Sequence, residues 1–400
     1  MSKLIDITGK ALSGEWGTDD ETGNGIPVLR TTNFTNEGIV DYSNVVTRTI
    51  TKKNIDEKYL KPGDIIIEKS GGSDKYPVGR VVFFDGPKDK YMFNNFTGLL
   101  RVRNRDKWYP RYVFYSLFGN YKKGGTKQFE NKTTGLHNLK TDDYVARYEV
   151  PDMIYERQVL ICNHLDKLLC IISKRKEQLQ KLDYLIKARF VEMFGDLMEN
   201  PFNWPMKTIA DVSLFLKSGL SRKLSDEDIG LSVIRSGNIQ NGQFIFDNVK
   251  YWYKDDPQGA NTKDYVLEDG DVLVNFINSS SQIGKTAIYR DTGRDCIYTT
   301  NIFRMKLADN CNEYYYNWFA MSDYYYRHLQ NIIQPAVNQS SFTTVNFLKL
   351  PIPLPAKDKQ NEFAEFVKQV DKSKVVVPSK IKNAIFAIML SVSFGQITSI

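Results

Sequence analysis

Gly25-Ile-Pro-Val-Leu-Arg-Thr-Thr-Asn33 returns about 205 positions later as Gly230-Leu-Ser-Val-Ile-Arg-Ser-Gly-Asn238. Arg30 and Asn33 thus match Arg235 and Asn238. Next, Tyr59-Leu-Lys-Pro-Gly-Asp64 answers to Tyr265-Val-Leu-Glu-Asp-Gly-Asp271, each followed by three apolar residues. Gly79-Arg-Val-Val82 answers to Gly284-Lys-Thr-Ala287, and Leu99-Leu-Arg-Val-Arg103 to Ile302-Phe-Arg-Met-Lys306. Chance supplies any one of these matches. Their common order and spacing point to a duplicated domain.

Within each copy, short β-branched and aromatic runs are broken by Gly, Asp and Asn, the texture of a strand-rich α+β domain. A helix follows each copy. From Tyr155 the chain has no Gly or Pro until Gly195. With Gln158 at a heptad a position, the a/d series is Gln158, Ile161, Leu165, Leu168, Ile172, Arg175, Leu179, Leu182, Ile186, Arg189 and Met193. Most of these are apolar at 3-4 spacing, the seam of a coiled coil. At 1.5 Å per residue the rod is about 60 Å long. After the second copy, Phe363, Phe366 and Val370 begin the same pattern. The expected architecture is α+β: two similar strand-rich domains joined by two long antiparallel coiled-coil helices in a pseudo-two-fold repeat. The expected division is 1–153, 154–196, 197–356 and 357–400, with the last helix kinked or altered at Pro378.

The chain has 400 residues, enough for two or three domains, and 42% of them are hydrophobic, enough to build real cores. A net charge of +7 permits a polyanionic partner without requiring one. Four cysteines and three histidines without C-x-x-C spacing give no basis for a zinc site and suit a reducing, cytoplasmic setting. The longest apolar stretch, Ala384 to Phe394, is short of the roughly 20 residues that span a bilayer. No membrane partner is expected.

Catalytic readings meet specific obstacles. Gly284-Lys285-Thr286 is similar to the end of a phosphate-binding loop, but Ser279 stands where its first glycine belongs. Asp64, Glu68 and Lys69 form an acidic pattern like a nuclease's, yet the second copy offers Asp271, Asn275 and Phe276. Asn200-Pro201-Phe202 lacks the second proline of an adenine-methyltransferase motif. A non-catalytic chain is expected. A coiled-coil adaptor that binds proteins, and a stand-alone DNA-modifying enzyme, are the alternatives.

The stretch from Gln178 to Asp196, QLQKLDYLIKARFVEMFGD, resembles the central helix of specificity subunits of type I restriction–modification enzymes. Pro351-Ile-Pro-Leu-Pro355, followed by Gln360, and the openings Ile26–Arg30 and Leu231–Arg235 are similar to that family's domain signatures. The resemblance covers nearly the whole chain. It implies two target recognition domains, each reading one half of a split sequence in double-stranded DNA, with the helices as a ruler between them. It further implies two methyltransferase subunits docked on the helices, motor–nuclease subunits that can join them, and S-adenosylmethionine held by the partner rather than by this chain.

Candidate DNA contacts follow from the polar residue types that reach base edges and phosphates. In the first copy they are Lys122, Lys123, Lys127, Gln128, Asn131, Lys132, Thr133, Thr134 and His137. In the second they are Arg327, Gln334, Asn338, Gln339, Ser340, Ser341 and Thr343. A solvated surface loop is the alternative for both segments. Loops 70–75 and 275–282 form a second, weaker pair. Arg30 and Arg235 recur in both copies, so a structural role suits them better than reading two different half-sites. The helix contacts expected are Leu165, Leu168, Ile172, Leu179, Leu182, Ile186, Met193, Phe363, Phe366 and Val370.

Overall fold

The apolar runs that follow Asp64 and Asp271 have no polar alternation, which suits strands covered on both faces. The computed structural model describes residues 1–53, 55–73, 76–133, 136–240, 242–336 and 339–374. In it, Ile65–Glu68 and Val272–Asn275 are buried central strands. Ile65–Glu68 lies between Thr97–Leu100 and Val81–Phe83, all antiparallel, with Leu12–Ser13 outermost. Val272–Asn275 lies between Ile302–Leu307 and Thr286–Ile288, with Ser213–Ser218 outermost.

A second sheet repeats as well. Ile26–Leu29 pairs antiparallel with Val46–Thr49 and parallel with Met92–Phe93. Gly230–Ile234 does the same with Lys250–Tyr253 and Cys296–Tyr298. The duplication is therefore one of topology, down to the single parallel pairing in each sheet.

The repeated polar residues close turns. Asn33 accepts the Arg30 N–H at 2.9 Å and donates to the Asp41 and Asn44 carbonyls at 3.0 and 2.9 Å. Asn238 accepts the Arg235 N–H at 2.9 Å and donates to Ile245 and Asp247, both at 2.8 Å. The guanidinium groups add bonds to the Asn44 and Asn248 carbonyls. Asp64 accepts the Lys61 N–H at 2.7 Å and two bonds from Arg101, at 2.8 and 2.7 Å. Asp271 accepts the Glu268 N–H and the Arg304 Nε, each at 2.7 Å.

The described residues fall into two compact units, Met1–Lys176 and 177–374. The central helix, Tyr155–Phe194, is shared between the two units. Ile161, Cys162 and Leu165, with Leu168 and Ile172 against them, complete the core of the first unit. Ile186, Phe190, Met193 and Phe194, with Leu182 against them, complete that of the second. Leu179 is half-buried and belongs to neither core. Among the described residues the expected seam thus meets two cores, and its pairing with the second long helix is described only in the second unit. A 3-4 spacing marks an apolar face without saying what covers it.

The second helix is described over Lys357–Ser373; the kink expected at Pro378 lies outside the described residues. Phe363 and Val370 are buried in the second core, and Phe366 packs against it beneath Arg189. Arg189–Glu362 and Asp183–Lys374 ion pairs, at 2.9 and 2.8 Å, run in opposite order along the two helices, which are therefore antiparallel in the second unit.

Each helix begins with a buried glutamine that ties it to its unit. Gln158 accepts the Tyr109 N–H at 2.9 Å and donates to the Lys107 and Met153 carbonyls at 3.0 and 2.7 Å. Gln360 accepts the Asn312 N–H at 2.8 Å and donates to Asn310 and Pro355 at 3.1 and 2.7 Å. Tyr112 and Tyr315 add hydroxyl bonds to the Pro151 and Pro353 carbonyls. Gln158→Leu or Gln360→Leu strands one N–H and two carbonyls, so each should cost roughly 2–4 kcal/mol in urea unfolding. A loss below about 0.5 kcal/mol, the scale of a neutral surface change, would remove the glutamines as anchors.

Candidate nucleic-acid interface

Strands far apart in sequence bring the two pairs of candidate loops together. In the first unit, Ser70–Gly72 pairs with Leu136–Leu139, which pairs with Glu130–Thr133. In the second, Ile277–Asn278 pairs with Ser340–Ser341, and Gln334 closes the turn through reciprocal bonds with Ser341 at 2.7 and 3.1 Å. Each small sheet grows from the end of the central strand of its unit. The stronger and the weaker candidate segments therefore form one local surface, and they do so twice.

On the first surface Lys122, Lys123, Lys127, Gln128 and Asn131 are exposed. Lys122, Lys123 and Lys127 line a cleft of about 330 Å³ with Asn36, Tyr76 and Tyr121. Tyr76, 55% exposed, was not among the candidates, although an aromatic residue just past a Gly/Ser-rich loop is a usable signal. Lys132 and Thr133 lie in the strand facing His137 and Leu136, and Thr134 lies outside the described residues.

His137 departs from the expectation. Only 7% exposed, it sits with Nδ1 3.0 Å from Glu130 Oε2, while Glu130 Oε1 accepts the Val78 N–H at 2.9 Å. Strand alternation turns it inward, towards a carboxylate, and away from a polyanion.

On the second surface Gln334 and Gln339 are exposed, Ser341 is half-buried and Ser340 is buried. Asn338 lies outside the described residues. Arg327 is exposed on the short helix Asp323–Gln330. Thr343 is exposed, but its hydroxyl caps helix Thr344–Leu348 by accepting the Asn346 N–H, so it is a structural residue. The two surfaces also differ in charge. Between Tyr121 and Lys140 the first carries five lysines and one glutamate; from Gln334 to Thr343 the second carries no charge.

The groups that prompted catalytic readings are used elsewhere. Asp64 and Asp271 are the turn carboxylates already described. Glu68 is buried, which raises its pKa, and the Arg80 guanidinium 3.3 Å away opposes that rise. Arg80 also binds the Thr31 and Phe34 carbonyls, at 2.9 and 2.8 Å. In the second unit Asn275 donates to the Ser236 carbonyl at 3.3 Å, so the two positions brace equivalent turns. Gly284, at φ 79°, donates to the Asn275 carbonyl at 2.7 Å, and the buried Thr286 hydroxyl donates to Asn317 at 2.9 Å. That is a strand-connecting turn, with no open cradle of N–H groups. Among the described residues no three His, Cys, Asp or Glu side chains form a metal-binding group, and no helix is long and apolar enough to cross a membrane.

Residues 201–386 match the family model for the type I restriction modification DNA specificity domain. A putative type I restriction enzyme MjaX specificity subunit of Methanocaldococcus jannaschii is 28% identical over 177 residues, 44% of this chain and 41% of that protein. The match therefore spans less than half of that relative's length. The type I restriction enzyme StySPI specificity subunit of Salmonella potsdam is 21% identical over 377 residues, 90% of this chain and 78% of its own. The crystal structure of the type I restriction–modification S subunit from M. genitalium shares the fold at 13% identity and a TM-score of 0.53, over 98% of this chain and 93% of that one. The recognition model thus falls on the second copy, whose topology is repeated in the first, and the chain is similar over most of its length to a type I restriction enzyme specificity subunit.

Proposed function

We propose that this chain is the DNA-reading subunit of a type I restriction–modification assembly, each unit taking one half of a bipartite duplex target. The supporting observation is the duplicated surface: two polar loops per unit, joined by strand pairing at the end of the central strand. A two-domain reader with an internal repeat contacts two half-sites whose separation follows from the link between the domains. The helices set that spacer and dock two methyltransferase subunits, which motor–nuclease subunits can join. S-adenosylmethionine belongs to the methyltransferase, and this chain supplies recognition without chemistry of its own.

Unequal charge divides the labour. The first surface supplies most of the phosphate attraction, and the second reads with amides and hydroxyls. The test is co-expression with type I methyltransferase subunits, followed by mapping of methylated adenines. A single split motif with a constant gap is the expected result. Methylation at an unsplit motif, or no methylation, would count against a bipartite reader, and partner capture without DNA binding would favour the adaptor.

A further inference from the structure

The central helix does not reach the second recognition surface through a slack linker. Gly195, at φ 77°, turns the chain back, and a Cβ there would lie 2.5 Å from Pro201 Cγ. Asn200, at φ 44°, accepts the Trp204 N–H at 2.9 Å and returns a bond from Nδ2 to the Trp204 carbonyl at 3.0 Å. The Trp204 indole N–H donates to the Phe194 carbonyl at 3.0 Å, satisfying one of the free carbonyls at the helix end. Immediately beyond, Pro205 accepts the Leu354 N–H at 2.9 Å, and Met206–Thr208 pairs with Pro351–Pro353. Below the loop, Phe194 packs edge-on against Tyr315 and Phe363, with ring centroids 4.9 and 5.6 Å apart.

Over the eleven residues between Phe194 and Met206 the chain thus passes from helix to strand through a turn bonded at Gly195, Asn200, Trp204 and Pro205. A duplex with one extra base pair presents its second half-site about 3.4 Å further along and, at 10–10.5 base pairs per turn, rotated by about 35°. Packing of Ile186, Phe190, Met193 and Phe194 into the second core already holds the helix end, and the bonded turn adds a second fastening against rotation, so the DNA must twist instead.

We propose that Asn200 and Trp204 are positioning residues for spacer selection, locking the helix end to the second unit so that duplexes one base pair longer or shorter are rejected. This rests on the bipartite reading given above. The test uses the chain with its methyltransferase subunits on duplexes carrying the mapped half-sites at the native gap, one pair shorter and one pair longer. Trp204→Phe keeps the ring and removes the indole N–H; Asn200→Gly keeps the left-handed backbone and removes both side-chain bonds. In the double variant, and more weakly in each single variant, the rate ratio between native and altered gaps should fall, by on the order of tenfold in the double. Penalties for mismatches inside either half-site should stay as in the wild type. A uniform rate loss at all three gaps, or no change, would overturn the lock, because mere destabilisation leaves the ratio intact. If the wild-type complex shows no split motif, the bipartite reading falls and the lock with it; a wild-type motif with unchanged variant ratios removes the lock alone.

Discussion

Replacing Lys122, Lys123 and Lys127 together with Ala is expected to weaken duplex binding by about a hundredfold near 0.1 M salt and to reduce the log–log salt slope by about 2.7. All three are exposed, and they converge on one cleft. Each lysine that neutralises a phosphate releases about 0.9 counterion, so the slope counts contacts directly. The matching change on the second surface, Gln334→Ala with Gln339→Ala, should leave the slope alone. It should instead relax discrimination at one half-site by roughly 1–3 kcal/mol. Fluorescence anisotropy across a salt series separates the two effects. An unchanged slope in the lysine variant would take that cleft out of the interface.

Arg304→Met should destabilise the second unit by about 3–5 kcal/mol, because it leaves Asp271 buried beside its turn without a counter-charge. The two side chains are 7% and 1% exposed, so water cannot replace the lost partner. In a unit of this size the loss corresponds to a melting-temperature drop of roughly 10 °C. The penalty has a predictable pH dependence. Burial already raises the Asp271 pKa above the ordinary 3.8, with Arg304 among the groups opposing that rise. Removing Arg304 raises it further, so the folded variant binds this proton more tightly than the unfolded chain does. Stability of the variant relative to wild type should therefore recover as pH falls from neutrality towards 3.8. Thermal melts at several pH values check both magnitude and direction. A loss below about 1 kcal/mol at neutral pH would mean that the carboxylate is not held as a buried anion.

Much of the candidate interface was legible because it was stated twice. Two polar segments at matching points of a repeat stand out even when neither contains a strict motif, and the structure places both at the same position on the sheet. His137 and Thr343 were less accessible to such reasoning. Whether a polar residue in a short strand faces solvent depends on register against a partner strand, and one position decides it. His137 pairs across from Gly72, some 65 residues away, and no local pattern reveals that register. Thr343 belongs to a helix of only five residues, too short for its periodicity to announce the cap. Tyr76 joins the cleft because folding brings it beside Tyr121 and Lys122, some 45 residues further along the chain.

By itself, the amino-acid sequence determined the duplication, the Gly- and Pro-free central helix and a structural role for Arg30 and Arg235. These depend on order, spacing and local hydrogen bonding, all of which survive in one dimension. Only the tertiary structure decided that the central helix contributes to two cores, that Asp64 pairs with Arg101 and Asp271 with Arg304, and that Asn200 and Trp204 close the helix end. Burial and partner choice depend on groups brought together across long stretches of chain, where many pairings compete and packing selects one.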